Sequence, residues 1–488
     1  MTASRPCIPR GPSRRALQIN TGRFVCADSA NVDNGEQVVE AARQPAESAN
    51  VRAKFAANAL VETGMTIQHP VSARHLQQTS GLNRRRERGS QRALRLQEGE
   101  YAQRAAHNPP APPRVLFLYW GRRGLSEFVL QLATAARTSV DLHAVFSVSR
   151  QNDRIHDFIR LGACIEPVEC FRSNVGALAV WRVRRLRAQI LARIRRDRID
   201  TVISLMPHVW GSLVSPAIRA LGSKFVSIVH DAAPHPGDAS SLVASWTFRD
   251  IPKNSDLVLT LSEHVTRSLT ANGLVDPCRV RTLFHPELSF SAVCSPPLPS
   301  AGGPFRVLFL GRILPYKGLG MLIEAVESLR RSGLPIELGV FGEGALGGNA
   351  KRLEAMGAEV VNRWLAAEEI SAVLNRYHAV VLSHTEASQS GIAALAAGHC
   401  VPVVASPVGG LVEQVRDGRS GILARSADAG GLAEAIAKLA HDSQLYCTIS
   451  AALAADREQR SMSAFLAGVL TCVKQLRQSP SVFAAAAG

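Results

Sequence analysis

The stretch Phe305-Arg306-Val307-Leu308-Phe309-Leu310-Gly311-Arg312-Ile313-Leu314-Pro315-Tyr316-Lys317-Gly318 decides how this chain is read. Its first six residues are almost all apolar, the texture of a parallel strand buried on both faces. The strand runs into Gly311, where the backbone is free to turn tightly. Arg312 follows at once and Lys317 five residues later, just before a stretch of helical periodicity at 321–331. Two cations over one strand end suit a diphosphate, with Arg as a planar fork and Lys as a point charge. A pair of solvated surface cations would look the same from this stretch alone.

The alternation continues outward. Downstream, strands are predicted at 336–341, 358–361, 379–382 and 401–405, with helices at 367–376, 391–397 and 430–440. Upstream lie strands at 114–120, 142–148, 200–205, 225–229 and 257–261, with helices at 125–136 and 179–198. A Pro/Ser/Gly-rich stretch at 294–304 separates the arrays. The pattern predicts an α/β protein of two doubly wound, Rossmann-like domains facing a cleft. Ligands of such sheets sit beyond the carboxyl ends of the strands, so the cleft is the expected site. The expected domains are 113–298 and 299–455. Residues 1–112, low in complexity and ending in a Pro-rich run, read as a disordered extension. Residues 456–488 read as a helix near 461–475, placed so that it can cross back to the first domain, and then a tail.

Composition narrows the classes. The chain has 488 residues, 46% hydrophobic and 20% charged, enough to bury ordinary cores. No apolar run is long enough to span a bilayer, and the first 20 residues lack a secretory core. A cytoplasmic protein is expected. Nine cysteines without a Cys-x-x-Cys pair argue against a disulfide framework or a zinc site. The net charge of +16 attracts anions. The basic residues are dispersed and no recognised motif accompanies them, so no nucleic-acid partner is expected.

Other strand ends carry chemistry. Ser383-His384-Thr385-Glu386-Ala387-Ser388-Gln389-Ser390-Gly391 follows a strand and opens a helix. Hydroxyls, an amide and a glycine there offer donors to an anion. Ser388 or Ser390 would serve equally as a plain N-cap. Ile228-Val229-His230-Asp231 ends another strand, and an imidazole there can donate and accept near neutral pH. His208, His235 and His285 also lie at or near strand ends. A metal site is not expected from them, because they lack a defined ligand spacing. Gly121-Arg122-Arg123-Gly124 is too poor in glycine for a dinucleotide fingerprint, and no P-loop occurs. On the helix at 179–198, Val180, Val183, Leu186, Ile190 and Ile194 line one face while arginines fill the rest. It reads either as a packed helix with a solvated basic face or as one that lies on an anionic bilayer.

Residues 305–441 resemble the nucleotide-sugar-binding domain of the family four retaining glycosyltransferases, which have the two-domain glycosyltransferase-B fold. The resemblance is carried by Gly311-Arg312 with Lys317-Gly318, by Phe341-Gly342-Glu343-Gly344 and by Pro402 through Glu413. Asp417-Gly418-Arg419-Ser420-Gly421 and Leu432-Ala433-Glu434-Ala435-Ile436 complete it. The family's Glu-seven-Glu pattern is degenerate: its positions fall on Ala387 and Leu395, and Glu386 is one residue out of register. The local Ala-Ser-Gln-Ser-Gly resembles one branch of the family. The first array resembles the acceptor-side domain more weakly, through the segment from Ile228 to Asp238 and through Phe284-His285-Pro286.

The resemblance implies sugar transfer from a nucleotide-diphosphate donor to a glycan or lipid-linked acceptor, with retention and without metal or other cofactor. Bacterial polysaccharide or glycolipid assembly is the implied setting. It implies catalytic roles for His230, Asp231, Arg312 and Lys317. Donor contacts would come from Gly311, Arg312, Lys317, Glu386, Ser388, Gln389, Ser390 and Gly391. Gly121, Gly124, His208 and His235 would face the acceptor side or the cleft. Enzymes of this kind often work at the inner face of the cytoplasmic membrane, where 179–198 would meet anionic lipid. Two other readings stay open: a non-catalytic member that binds nucleotide or a partner, and a sugar-nucleotide epimerase. The epimerase needs acid/base carboxylates in the cleft, and the sequence alone locates none.

Overall fold

The computed structural model describes residues 111–478 apart from 163, 172–178, 234–246, 248, 251, 290–295 and 301. The extension expected at the N-terminus, the C-terminal tail and His235 lie outside the described residues.

Among the described residues, thirteen strands form two sheets. The first holds β1 (Arg114–Tyr119), β2 (His143–Ser149), β3 (Ile165–Val168), β4 (Thr201–Ser204), β5 (Lys224–Val229), β6 (Leu257–Thr260) and β7 (Val280–Thr282). The second holds β8 (Phe305–Leu310), β9 (Ile336–Phe341), β10 (Glu359–Val361), β11 (Ala379–Leu382), β12 (Val403–Ala405) and β13 (Gly421–Leu423). The orders are β3-β2-β1-β4-β5-β6-β7 and β10-β9-β8-β11-β12-β13. Each neighbouring pair is parallel. Each sheet grows one way from its first strand to its third and then reverses, which places switch points between β1 and β4 and between β8 and β11. At such points the loops part on opposite faces and leave a crevice beyond the strand ends.

The apolar runs explain the burial. Val115, Leu116 and Phe117 of β1, and Val307 and Leu308 of β8, are fully enclosed, because helices cover both faces of each sheet. The helix Val180–Asp197 buries Val183, Leu186, Ile190 and Ile194 and turns Arg184, Arg185, Arg187 and Arg195 outward. The final helix, Met462–Gln478, packs against Ser126–Thr138 of the first lobe, with the Phe465 and Phe128 rings 5.5 Å apart. Arg477 reaches Asp200 of that lobe at 3.6 Å. The chain therefore returns to its first lobe through this helix.

Of the described cysteines five are free thiols, and Cys400 is disulfide-bonded. Counting and spacing cannot find a single bridge, because its geometry depends on the fold.

Candidate active site

A cleft of about 640 Å³ runs between the carboxyl ends of the two sheets. Its first-lobe wall begins where β1 ends. Gly121 does not line it, and a Cβ there would meet Met206 Sδ at 2.7 Å; Gly124, at φ 99°, lines it. Met206 and Pro207, past β4, also line it. His208 turns away and caps the helix Val209–Ala220, its Nδ1 accepting the N–H of Trp210 at 3.2 Å. The Trp120 ring meets it edge-on at 5.4 Å, and burial brings its pKa down to about 4.

His230 and Asp231, past β5, both line the cleft. His230 is 6% exposed. Its Nε2 donates to the Leu205 carbonyl at 3.0 Å, and its Nδ1 receives the amide N–H of Gln389, from the other lobe, at 2.8 Å. Burial lowers its pKa, against the opposing pull of Asp231. His285 lies on the chain leaving the first lobe. Its Nδ1 donates to the Pro286 carbonyl at 2.9 Å, and burial lowers its pKa to about 4. Phe128 meets both rings edge-on, at 5.7 and 5.9 Å.

In the second lobe, β8 gives way to Gly311 at φ 111° and then to the short turn Pro315–Lys317. Gly311, Arg312 and Lys317 line the cleft. Lys317 Nζ donates to His384 Nε2 at 2.9 Å and stands 5.3 Å over the Tyr316 ring. Glycines clamp the loop after β11 from two sides. A Cβ on Gly318 would lie 1.8 Å from the Ser383 carbonyl oxygen, and one on Gly410 would lie 1.8 Å from that of Ser388. Gly391 and Gln389 face the cleft; Glu386, Ser388 and Ser390 do not line it. Ser390 caps the helix Gly391–Gly398, its Oγ accepting from Ala393, while its backbone bonds Gln414 through both N–H and C=O at 2.8 Å. The position of the family's second Glu is an apolar wall, where Leu395 lies with Leu288, Leu310, Ile370 and Ile392.

Sequence reasoning passed over several groups on the cleft wall. Glu127, in the first turn after the Gly124 bend, accepts from Gln131 at 2.7 Å and from Arg154 at 3.0 Å. Burial raises its pKa, and Glu368 across the cleft adds to the rise. Arg123 spans the opening to Glu343 at 3.7 Å, and its guanidinium stands 5.4 Å over the Trp364 ring. Asp153 also lines the cleft, so carboxylates that the sequence could not locate are present there. Among the described residues no group of three or more His, Cys, Asp or Glu is placed to hold a metal ion.

Two facing Rossmann-like lobes with a mixed-charge cleft at both switch points define a protein of the glycosyltransferase-B fold. Residues 304–442 match the family model described as Glycosyl transferases group 1. The chain is similar to the glycogen synthase of Mycobacterium tuberculosis, at 28% identity over 362 residues, covering 65% of this chain and 83% of the relative. It is also similar to the GDP-mannose-dependent alpha-(1-6)-phosphatidylinositol monomannoside mannosyltransferase of Mycolicibacterium smegmatis. That relative is 28% identical over 298 residues, covering 55% of this chain and 75% of its own. In fold it resembles Anabaena Alr3699/HepE, solved in complex with UDP-glucose, with a TM-score of 0.57 at 16% identity over 74% of this chain and 99% of that one. The chain is a glycosyltransferase, an enzyme that transfers glycosyl groups.

Proposed function

We propose that the enzyme moves a sugar from a nucleotide-diphosphate donor to a hydroxyl of a glycan or lipid-linked acceptor, with retention and without a metal. The observation that carries the reading is the pairing of the Gly311–Arg312–Lys317 turn with the loop after β11, at adjacent strand ends facing His230 and Asp231. The bond from the sugar's anomeric carbon to the phosphate oxygen breaks, and its electron pair leaves with the diphosphate. Lys317 and Arg312 meet that developing charge, where fixed cations stabilise a transition state most. The acceptor oxygen bonds the same face of the anomeric carbon, and its proton passes to the departing phosphate oxygen. His230, with both ring nitrogens engaged, orients rather than abstracts.

The outward arginines of Val180–Asp197 and the 62% exposed Trp181 support docking on an anionic bilayer, which would bring a lipid-linked acceptor to the first lobe. No helix among the described residues is long and apolar enough to cross a membrane.

Thermal shift with UDP-, GDP-, ADP-, dTDP- and CMP-sugars tests the donor half, since a ligand of the native state raises its melting temperature. A selective shift that Lys317→Ala abolishes supports the reading. No shift with any donor and no transfer to membrane extract would sink it. A second reading draws on Glu127, whose raised pKa suits an acid/base group: isomerisation of the sugar nucleotide. An isomerised sugar nucleotide formed without any acceptor would favour that instead.

A further inference from the structure

The loop after β11 was expected to present donors to an anion, yet two of them are already engaged. The N–H of Ser390 goes to Gln414, and the amide N–H of Gln389 goes to His230. Beside them stands an acceptor. Gln389 Oε1 is buried on the cleft wall and has no hydrogen-bond partner. A buried, unmatched amide oxygen is costly, so such an atom marks a place where a ligand group belongs.

The direction of the amide follows from the histidine. The Leu205 carbonyl can only accept, so Nε2 of His230 carries a proton. A neutral ring then has a bare Nδ1, which must accept, and only the NH₂ end of Gln389 can donate to it. Oε1 is thereby turned away from the ring. Were His230 charged, Nδ1 would donate, the amide would reverse, and a donor would face the cleft instead. The charged and titratable neighbours that act on the ring are Asp231 beside it and His285 from the interlobe linker; Ser126–Thr138 presents Phe128 to it. Burial outweighs Asp231, which keeps the ring neutral.

We propose that Gln389 is a positioning residue: its amide holds His230 as the neutral Nε2–H tautomer, and its Oε1 receives a hydroxyl or N–H of the donor's sugar. This rests on the glycosyl-transfer reading for the identity of the ligand, but not for the state of the histidine. The loop thus reads the sugar, while the anionic diphosphate belongs to Arg312 and Lys317.

Two measurements separate these parts. The first uses ligand-free protein with ¹⁵N-labelled histidine, His230 being assigned through His230→Gln. In the wild type His230 shows the Nε2–H tautomer at pH 7 and titrates below the usual histidine value of about 6.5. Gln389→Glu places a carboxylate against Nδ1, which favours the charged ring, and moves the titration to or above that value. A wild-type Nδ1–H tautomer, or an unmoved titration in Gln389→Glu, would overturn the proposal. The second compares bare UDP, GDP, ADP and dTDP with their glucose, galactose, mannose and N-acetylglucosamine esters. For the ester the wild type binds, Gln389→Met weakens binding about tenfold, the equivalent of one lost hydrogen bond, and leaves the bare nucleotide within about twofold. Equal losses, or none, would overturn the sugar contact. If no ester binds the wild type, the sugar contact falls along with the donor assignment, and the first measurement still decides the histidine.

Discussion

Glu413, in the second lobe, caps a helix of the first: its Oε1 accepts the N–H of His264 at 2.8 Å. Its Oε2 accepts the N–H of Glu263 at 2.6 Å. These are the first two N–H groups of the helix Glu263–Ala271, whose N-cap Ser262 also donates to the Ser388 carbonyl at 3.0 Å. The acid that closes the Gly409-Gly410 motif therefore joins the lobes and lies off the cleft wall. A carboxylate at orphan helix N–H groups gains from both hydrogen bonding and the helix dipole. Glu413→Ala should cost about 1–2 kcal/mol and Glu413→Gln less, read from urea unfolding. An unchanged midpoint for Glu413→Ala would show that the cap contributes nothing.

Glycine positions divide sharply by surroundings. Gly318 has φ 67° and a Cβ there would overlap the Ser383 carbonyl, whereas Gly347 has φ 55° and nothing within 4 Å. Gly347→Ala should lose about 1 kcal/mol from backbone conformation alone. Gly318→Ala adds the displacement of the loop after β11, so it should lose more stability and also weaken binding of the nucleotide sugar. Equal thermal shifts for the two variants would rule out the close approach as the reason for glycine at 318.

Asp456 is held down to about pKa 2, with hydrogen bonds from Arg419 the largest cause and those from Arg416 next among the lowering ones. A carboxyl whose folded pKa is depressed adds stability above its unfolded value and loses it as pH falls through the folded one. Its contribution should therefore be complete above about pH 4 and fade towards pH 2. Asp456→Asn should flatten that part of the acid-stability curve. A mutant curve parallel to the wild type between pH 4 and 2 would exclude the pair from acid unfolding.

The basic helix supplies a fourth test. Arg184, Arg185 and Arg187 are exposed on Val180–Asp197. Changing all three to Glu should abolish cosedimentation with vesicles rich in phosphatidylglycerol, while leaving the melting temperature within a few degrees. Equal sedimentation of both proteins would mean that this face does not dock.

Strands β8, β9 and β11 were legible to the residue, because buried parallel strands are continuous apolar runs closed by glycine or polar turns. The misses have physical causes. β3 contains Pro167, while β7 and β13 have three residues each, too short for a period to appear. The helix Val209–Ala220 contains Pro216, which reads as a breaker until its place in the fold is seen. Strand-end logic singled out Gly311, Arg312, Lys317, His230 and Asp231, which line the cleft. It could not find Trp364 or Glu368, which follow the short edge strand β10 and matter only once the lobes face each other. Glu127 had a signal, an acid in the first turn after a glycine bend. The contact of Gln389 with His230 had none, since 159 residues separate the two.

The loop after β11 lies between Gly318 on one side and Gly409 and Gly410 on the other, each approached by one of its carbonyl oxygens at a distance that admits no side chain. Its backbone course is held by these neighbours, and at its two ends by the hydroxyls of Ser383, Thr385 and Ser390. Such a loop behaves as an interchangeable cassette: residues 386–389 could be rewritten to suit another sugar while the chain keeps its path. Selection, natural or in the laboratory, could then change what the enzyme carries without rebuilding the scaffold that carries it.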